Sequence, residues 1–176
     1  QYSAQLAQFS SLEQLQNINT NLETSINANY QLTQAVSNTM TAALIGKEAK
    51  IDGNSIVYNG QDEFQFGYTL PADASSVEVK IYDEYGNLVK TIDNAEKDAG
   101  EHKLSWDFTD NDGENISEGK YYFEMAAKTS NGKEMTFDSY TIGKIQSVRF
   151  TENGTMLVVN GIEYGVSQVF EILDSG

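Results

Sequence analysis

The chain holds one histidine and no cysteine, which removes most of the side chains that carry nucleophilic and metal chemistry. His102 lies in Gly100-Glu101-His102-Lys103-Leu104, just ahead of a strand-like run. It is expected to be an exposed strand-edge residue rather than a base, and no Gly-x-Ser-x-Gly elbow accompanies it. Without Cys there is neither a disulfide framework nor a thiolate, and one His cannot build a histidine-rich metal site. The most ligand-like stretch is Asp107-Phe108-Thr109-Asp110-Asn111-Asp112-Gly113. Counted back from Gly113 in a calcium loop, Asp112 and Asp110 take the fifth and third places. The first place is then Phe108 and the twelfth is Gly119, where a bidentate Glu is needed. The stretch reads instead as a turn in which Asp and Asn bond their own backbone. Paired carboxylates are too frequent in so acidic a chain to mark acid–base catalysis. The ten Tyr and eight Phe fall mostly at strand-like positions where packing explains them, and Trp106 is expected to anchor a core. The expectation is a protein with no catalytic residues, no metal and no cofactor, whose function lies in its surfaces.

The surface that stands out is at the amino terminus. From Gln5 to Asn19 there is no Gly or Pro, and neither appears before Gly46. Apolar residues recur at Leu6, Phe9, Leu12, Leu15, Ile18, Leu22, Ile26 and Tyr30. Steps of three and four place them on one stripe of an α-helix. The other face is Gln, Asn, Ser and Thr, with only Glu13 and Glu23 charged before Lys47. Residues 3 to about 44 are expected to form a helical arm, reaching roughly 60 Å at about 1.5 Å per residue. Asn27, Asn29, Thr33, Ser37, Asn38, Thr39 and Thr41 lower helix propensity, so the helix is expected to weaken or break beyond Ile26. Gly46 suits the left-handed residue that ends a helix. A helix of that length cannot bury its whole stripe on a small β domain, so Leu6, Phe9, Leu12, Leu15, Ile18, Leu22 and Ile26 are expected to form an intermolecular surface. The chain begins without Met inside this pattern, so more helix is expected to precede it.

Net charge is −15, and residues 1–60 carry only four acids (Glu13, Glu23, Glu48, Asp52) against two bases (Lys47, Lys50), leaving −13 on the remainder. That balance disfavours nucleic acid and anionic membranes as partners, and no run approaches the roughly 18 apolar residues of a membrane span. After Gly46 the pattern changes to period two. Turn dipeptides stand at Asp52-Gly53, Asn59-Gly60, Asp112-Gly113, Asn131-Gly132, Asn153-Gly154 and Asn160-Gly161, where positive φ in tight hairpins is expected. Val77, Val79 and Ile81 form one alternating set and Tyr121, Phe123 and Met125 another; Met156, Val158, Val166, Phe170 and Ile172 are expected to serve later strands. Many short strands joined by such turns predict sandwiches or small barrels. The flanking segments Ala49–Tyr58 and Ile145–Leu173 are each too short to stand alone. The expected organisation is a helical arm over 1–45, a small β-barrel from 46–60 plus 141–176, and a β-sandwich over 61–140 inserted in it.

Ala4-Gln5-Leu6-Ala7-Gln8-Phe9-Ser10-Ser11-Leu12-Glu13-Gln14-Leu15-Gln16-Asn17 resembles the helical signature of the flagellar hook-capping (hook assembly) proteins. Ala43-Leu44-Ile45-Gly46-Lys47-Glu48 is similar to that family's junction between arm and body. Ile81-Tyr82-Asp83-Glu84-Tyr85-Gly86-Asn87-Leu88-Val89, Ala99-Gly100-Glu101-His102, Trp106-Asp107, Asp110, Asp112-Gly113, Gly119 and Tyr121 resemble its immunoglobulin-like domain. Two departures are the absent Asn-Gln-Asp-Pro-like start and Phe108, where a Gly commonly follows Trp-Asp. The resemblance implies a mainly β protein with a long amino-terminal arm and an immunoglobulin- or fibronectin-III-like sandwich inserted in a Tudor-like barrel. It implies a non-catalytic scaffold, exported through the flagellar type III system, that sits outside the cell at the distal tip of the growing hook. Its implied partners are the flagellar hook protein and itself, as a homo-oligomer, a pentamer. The alternative reading of the residues is a secreted or surface β-sandwich adhesion module.

Overall fold

The computed structural model describes residues 2–151 and 154–174. It contains one α-helix, α1 (Tyr2–Leu44), unbroken past Ile26. The expected weakening does not occur, for a local reason. Thr20, Thr24, Thr33 and Thr39 each donate a hydroxyl hydrogen bond to the carbonyl four residues back, at 2.8–3.0 Å. Side chains that elsewhere compete with the helix are thus absorbed into it. The helix stops at Leu44, and Gly46 takes φ 87° while its N–H bonds the Ile145 carbonyl at 2.9 Å.

Residues from Leu44 onward form a separate β unit. Its strands are β1 (Glu48–Ile51), β2 (Ser55–Tyr58), β3 (Phe64–Leu70), β4 (Ser76–Asp83), β5 (Leu88–Ile92), β6 (Gly100–Trp106), β7 (Gly119–Lys128), β8 (Glu134–Met135), β9 (Asp138–Thr151), β10 (Gly154–Val159), β11 (Ile162–Gly165) and β12 (Val169–Leu173). The long β9 organises them. Its first part pairs with β3, which pairs with β6, and this layer faces a sheet ordered β2-β7-β4-β5 with β8 on β7. That is the immunoglobulin-like sandwich. The second part of β9 pairs with β10, which pairs with β11, while Thr141–Lys144 pairs with β1, and β1 with β12. These five strands curl into the small Tudor-like barrel. The sandwich is inserted between β1 and the later barrel strands.

The cores follow from alternation. Val77, Val79 and Ile81 point inward together, and with Phe64, Phe66, Trp106 and Phe123 they fill the sandwich. The barrel core is Ala49, Ile51, Ile145, Leu157, Val159 and Tyr164. Here the inward set is Leu157 and Val159, not Met156 and Val158, and Val166, Phe170 and Ile172 are exposed. Met156-Leu157-Val158-Val159 is apolar throughout, so its pattern does not say which alternate residues face in.

Two further expectations are corrected, and the departure at Phe108 is accommodated. β2 lies within the 46–60 stretch expected for the barrel, yet it pairs with β7 of the sandwich. Asp52-Gly53 is not a hairpin turn with positive φ. Gly53 is needed because a Cβ there would lie 2.9 Å from the Tyr164 ring. Phe108 keeps the left-handed backbone that a Gly would favour, with φ 56°. Its ring offsets that cost by stacking on Tyr58 at 4.1 Å and lying 4.9 Å from Trp106, almost wholly buried. Asn160-Gly161 does form the expected β10–β11 turn, with φ 52° and 77°. Asn153 of the Asn153-Gly154 turn lies outside the described residues.

Candidate functional site

The candidate site is the helix surface. Leu6, Phe9, Leu12, Leu15, Ile18, Leu22 and Ile26 are all on α1, and each is more than half exposed, from 53% at Ile18 to 73% at Phe9. Tyr2, Tyr30, Leu32 and Val36 are similarly exposed. Leu32 and Val36 lay beyond the stripe read from the sequence; their spacing of four was the available signal. The helix has no acid in its first turn and no base in its last, so it offers no terminal charge for electrostatic docking. The hydroxyls of Ser11, Thr20, Thr24, Thr33 and Thr39 are turned back onto the main chain. What the helix presents outward is therefore mainly apolar side chains, Gln and Asn, with Glu13 and Glu23 as its two charges.

The stripe is not straight. At about 100° per residue, each step of three turns a side chain back by about 60°. Four such steps separate Leu6 from Ile18, and together they sweep about 240° around the axis. The steps of four from Ile18 through Leu22 and Ile26 to Tyr30 return by only about 40° each. Leu12 to Tyr30 thus share one face about 120° wide, whereas Tyr2, Leu6 and Phe9 wind onto another.

The sequence-selected polar residues of the β unit are structural. His102 is not exposed: its ring nitrogens lie 2.9 Å from Glu96 Oε2 and 2.7 Å from the Asp98 carbonyl, and its ring lies 5.2 Å from that of Tyr68. Trp106 is buried and donates its indole N–H to the Thr109 carbonyl at 2.8 Å. Asp110 Oδ1 accepts the N–H groups of Asp112 and Glu114 at 2.9 and 3.0 Å. The Asp107 carboxyl accepts from the Thr109 hydroxyl at 2.7 Å, and that hydrogen bond first of all holds its pKa below the usual carboxylate range. Both carboxylates shape the turn. Among the described residues no cluster of three or more His, Asp or Glu is arranged to hold a metal.

Other sites hold polar groups the sequence reading missed. Lys50 is buried on β1 and bridges Glu101 at 2.6 Å and Glu171 at 2.8 Å, with its ammonium 5.5 Å from the Tyr140 ring centre. Burial alone would lower its pKa; the hydrogen bonds to the two carboxylates outweigh that and raise it. Burial, then the bond to Glu101, push Tyr140 up to about 12.

Comparison with known proteins agrees with this geometry. Residues 53–131 match the FlgD Ig-like domain, a range that takes in β2 to β7 and ends before β8 and β9. The chain is 27% identical over 177 residues to the basal-body rod modification protein FlgD of Salmonella typhimurium, covering 97% of this chain and 73% of the relative. It is 25% identical over 158 residues to that of Buchnera aphidicola subsp. Acyrthosiphon pisum, covering 88% of this chain and 64% of the relative. The chain thus spans about two thirds to three quarters of the length of these curated relatives. The crystal structure of FlgD from Xanthomonas campestris, studied for the hook capping essential for flagellar assembly, shares the fold at 23% identity. Its TM-score is 0.67, over 76% of this chain and 96% of that one. With the immunoglobulin-like domain matched over residues 53–131 and relatives aligned from the helix to the barrel, the chain is similar to the FlgD proteins along its length.

Proposed function

We propose that this chain is a flagellar hook cap: a non-catalytic scaffold at the distal end of the growing hook that promotes polymerisation of hook subunits. The carrying observation is the 43-residue helix with only two charged residues, Glu13 and Glu23, whose large apolar side chains from Leu6 to Val36 are exposed. An isolated helix of this kind is marginal in water and gains stability from packing. In this reading Leu6, Phe9, Leu12, Leu15, Ile18, Leu22 and Ile26 bury against hook protein and neighbouring arms. The two apolar directions suit a helix held between neighbours. The Gln and Asn between them supply hydrogen bonds without ion pairs that must break as each subunit enters. The protein reaches the tip through the flagellar export channel and works there as a homo-oligomeric ring, a pentamer, in which one contact is repeated by rotation. The barrel and sandwich boundaries follow the family arrangement, with β2 joining the sandwich.

The test uses the full-length protein in cells lacking their own cap protein. Leu12→Asp combined with Leu15→Asp is expected to abolish hook assembly while thermal unfolding of the β unit stays at the wild-type temperature. Normal hooks from the double variant would refute the assignment of the helix. Loss of the folded β unit would show that the stripe is an internal core surface instead.

A further inference from the structure

The sandwich and the barrel meet along one curled face. Directly paired residues of neighbouring strands lie on the same face. Glu101 pairs with Thr69 and Thr69 with Asp138; Lys103 pairs with Gly67 and Gly67 with Tyr140. Ile142 pairs with both Gln65 and Lys50, and Lys50 pairs with Glu171. One continuous face therefore runs from β6 across β3 and β9 to β1 and β12. Main-chain pairing between the sandwich strands β6 and β3 and the barrel strands β1 and β12 passes only through β9 among the described residues.

On a flat sheet β6 and β1 would stand about 14 Å apart, three strand spacings. Their side chains nevertheless touch. Lys50 Nζ lies 2.6 Å from Glu101 Oε1, and Lys103 Nζ lies 3.0 Å from Glu48 Oε1. The two strands carry the same short pattern, Glu48-Ala49-Lys50 and Glu101-His102-Lys103. Each Glu meets the other strand's Lys. Tyr140 is the floor beneath: it donates its hydroxyl to Glu101 at 2.9 Å, lies under the Lys50 ammonium, and occupies the space a Cβ on Gly67 would need. Twist between neighbouring strands ranges over about 10 to 35°, so pairing through β9 alone leaves the angle between the two domains open over several tens of degrees. The four charges select one value.

We infer that Glu48 and Lys50 of β1 and Glu101 and Lys103 of β6 form a charge clasp that sets the angle of the sandwich on the barrel across their shared strand. The buried Lys50 is the strong half, since removing its ammonium leaves Glu101 and Glu171 facing each other without a cation. The more exposed Glu48–Lys103 pair is the adjustable half and is screened by salt.

Residual dipolar couplings and amide exchange on the full chain test this. In the wild type, sandwich and barrel amides are expected to fit one alignment tensor. Lys103→Glu sets a like charge against Glu48; it should require two tensors and speed exchange of the Tyr140–Lys144 amides by about tenfold. Adding Glu48→Lys to that variant restores the opposite charges and should return both measurements to wild type. Lys50→Met should give the larger loosening. If it fails to fold, the exposed Lys103 series decides alone. A single tensor and unchanged exchange in Lys103→Glu would overturn the clasp, as would failure of the double variant to recover.

Discussion

The helix and the β unit use the same apolar residue types in opposite ways. In α1, the Leu, Ile and Phe side chains from Leu6 to Leu32 are more than half exposed, whereas Phe66, Ile81, Trp106 and Val159 in the β unit are at 0–1%. Only −2 of the −15 net charge lies on the helix, and the β unit carries the rest. The difference starts with the backbone. A helix closes its hydrogen bonds within itself, so it can exist with its side chains uncovered. A strand must find a neighbour, and the pairing that satisfies its backbone brings side chains together into a core.

That contrast can be broken at the β unit or at the helix, and the two give separate signals. Trp106, the single tryptophan, reports the sandwich by fluorescence, and far-ultraviolet circular dichroism is dominated by the helix. The largest effect is expected in the core. Leu, Phe or Trp truncations there cost about 2–5 kcal/mol, so Phe66→Ala should lower the urea midpoint seen by Trp106 fluorescence by that much. Phe108→Gly is the sharper case. It relieves a left-handed non-glycine residue worth about 1–2 kcal/mol but removes a buried ring whose loss costs about 3–5 kcal/mol. Net destabilisation of about 2 kcal/mol is expected in the same titration. Stabilisation would mean that the turn, not the stack with Tyr58, decides the site. Gly67→Ala forces a Cβ into Tyr140, and overpacking of that kind costs about 1–3 kcal/mol, read as a lower unfolding temperature.

Smaller effects follow. The pKa of Glu101 is lowered, first by its hydrogen bond to Lys50 and then by that from Tyr140. A carboxyl with a depressed folded value contributes stability that is present above its unfolded value and lost as pH falls through the folded one. Glu101→Gln should therefore narrow the stability difference between neutral and acid pH, measured by denaturation across that window. Its side chain is 46% exposed, so screening keeps the change modest. Smallest of all is the response of the β unit to the helix. Leu22→Asp, which changes only an exposed side chain, should shift the Trp106 titration by less than about 0.5 kcal/mol. A larger shift would erase the distinction between the two regions.

Much of the molecule was legible in local pattern. The helix, its end near Gly46, the inward set Val77, Val79 and Ile81, and Trp106 as a core residue all follow from periodicity and residue chemistry over a few positions. The seven stripe residues could be named, but their winding appears only when every step is converted to an angle. The burial of His102 was hidden because Glu96 and Asp98 reach it from the loop before β6. The parity of Met156–Val159 was hidden because the run is uniformly apolar. Phe108 shows the converse: a residue that breaks a local preference kept the backbone shape, because Trp106 two residues away and Tyr58, distant in the chain, hold its ring.

By itself the sequence determined a long helix with only two charged residues and an acidic body of short strands, since these depend on composition and on spacing within a turn or a strand. Only the tertiary structure decided that β2 belongs to the sandwich, that β9 serves both domains, and that Glu48-Ala49-Lys50 faces Glu101-His102-Lys103. Strand alternation says which face a side chain takes but nothing about which distant strand lies beside it. That choice is made by the curl of the whole sheet, where burial, Tyr140 against Gly67, and paired charges are satisfied together.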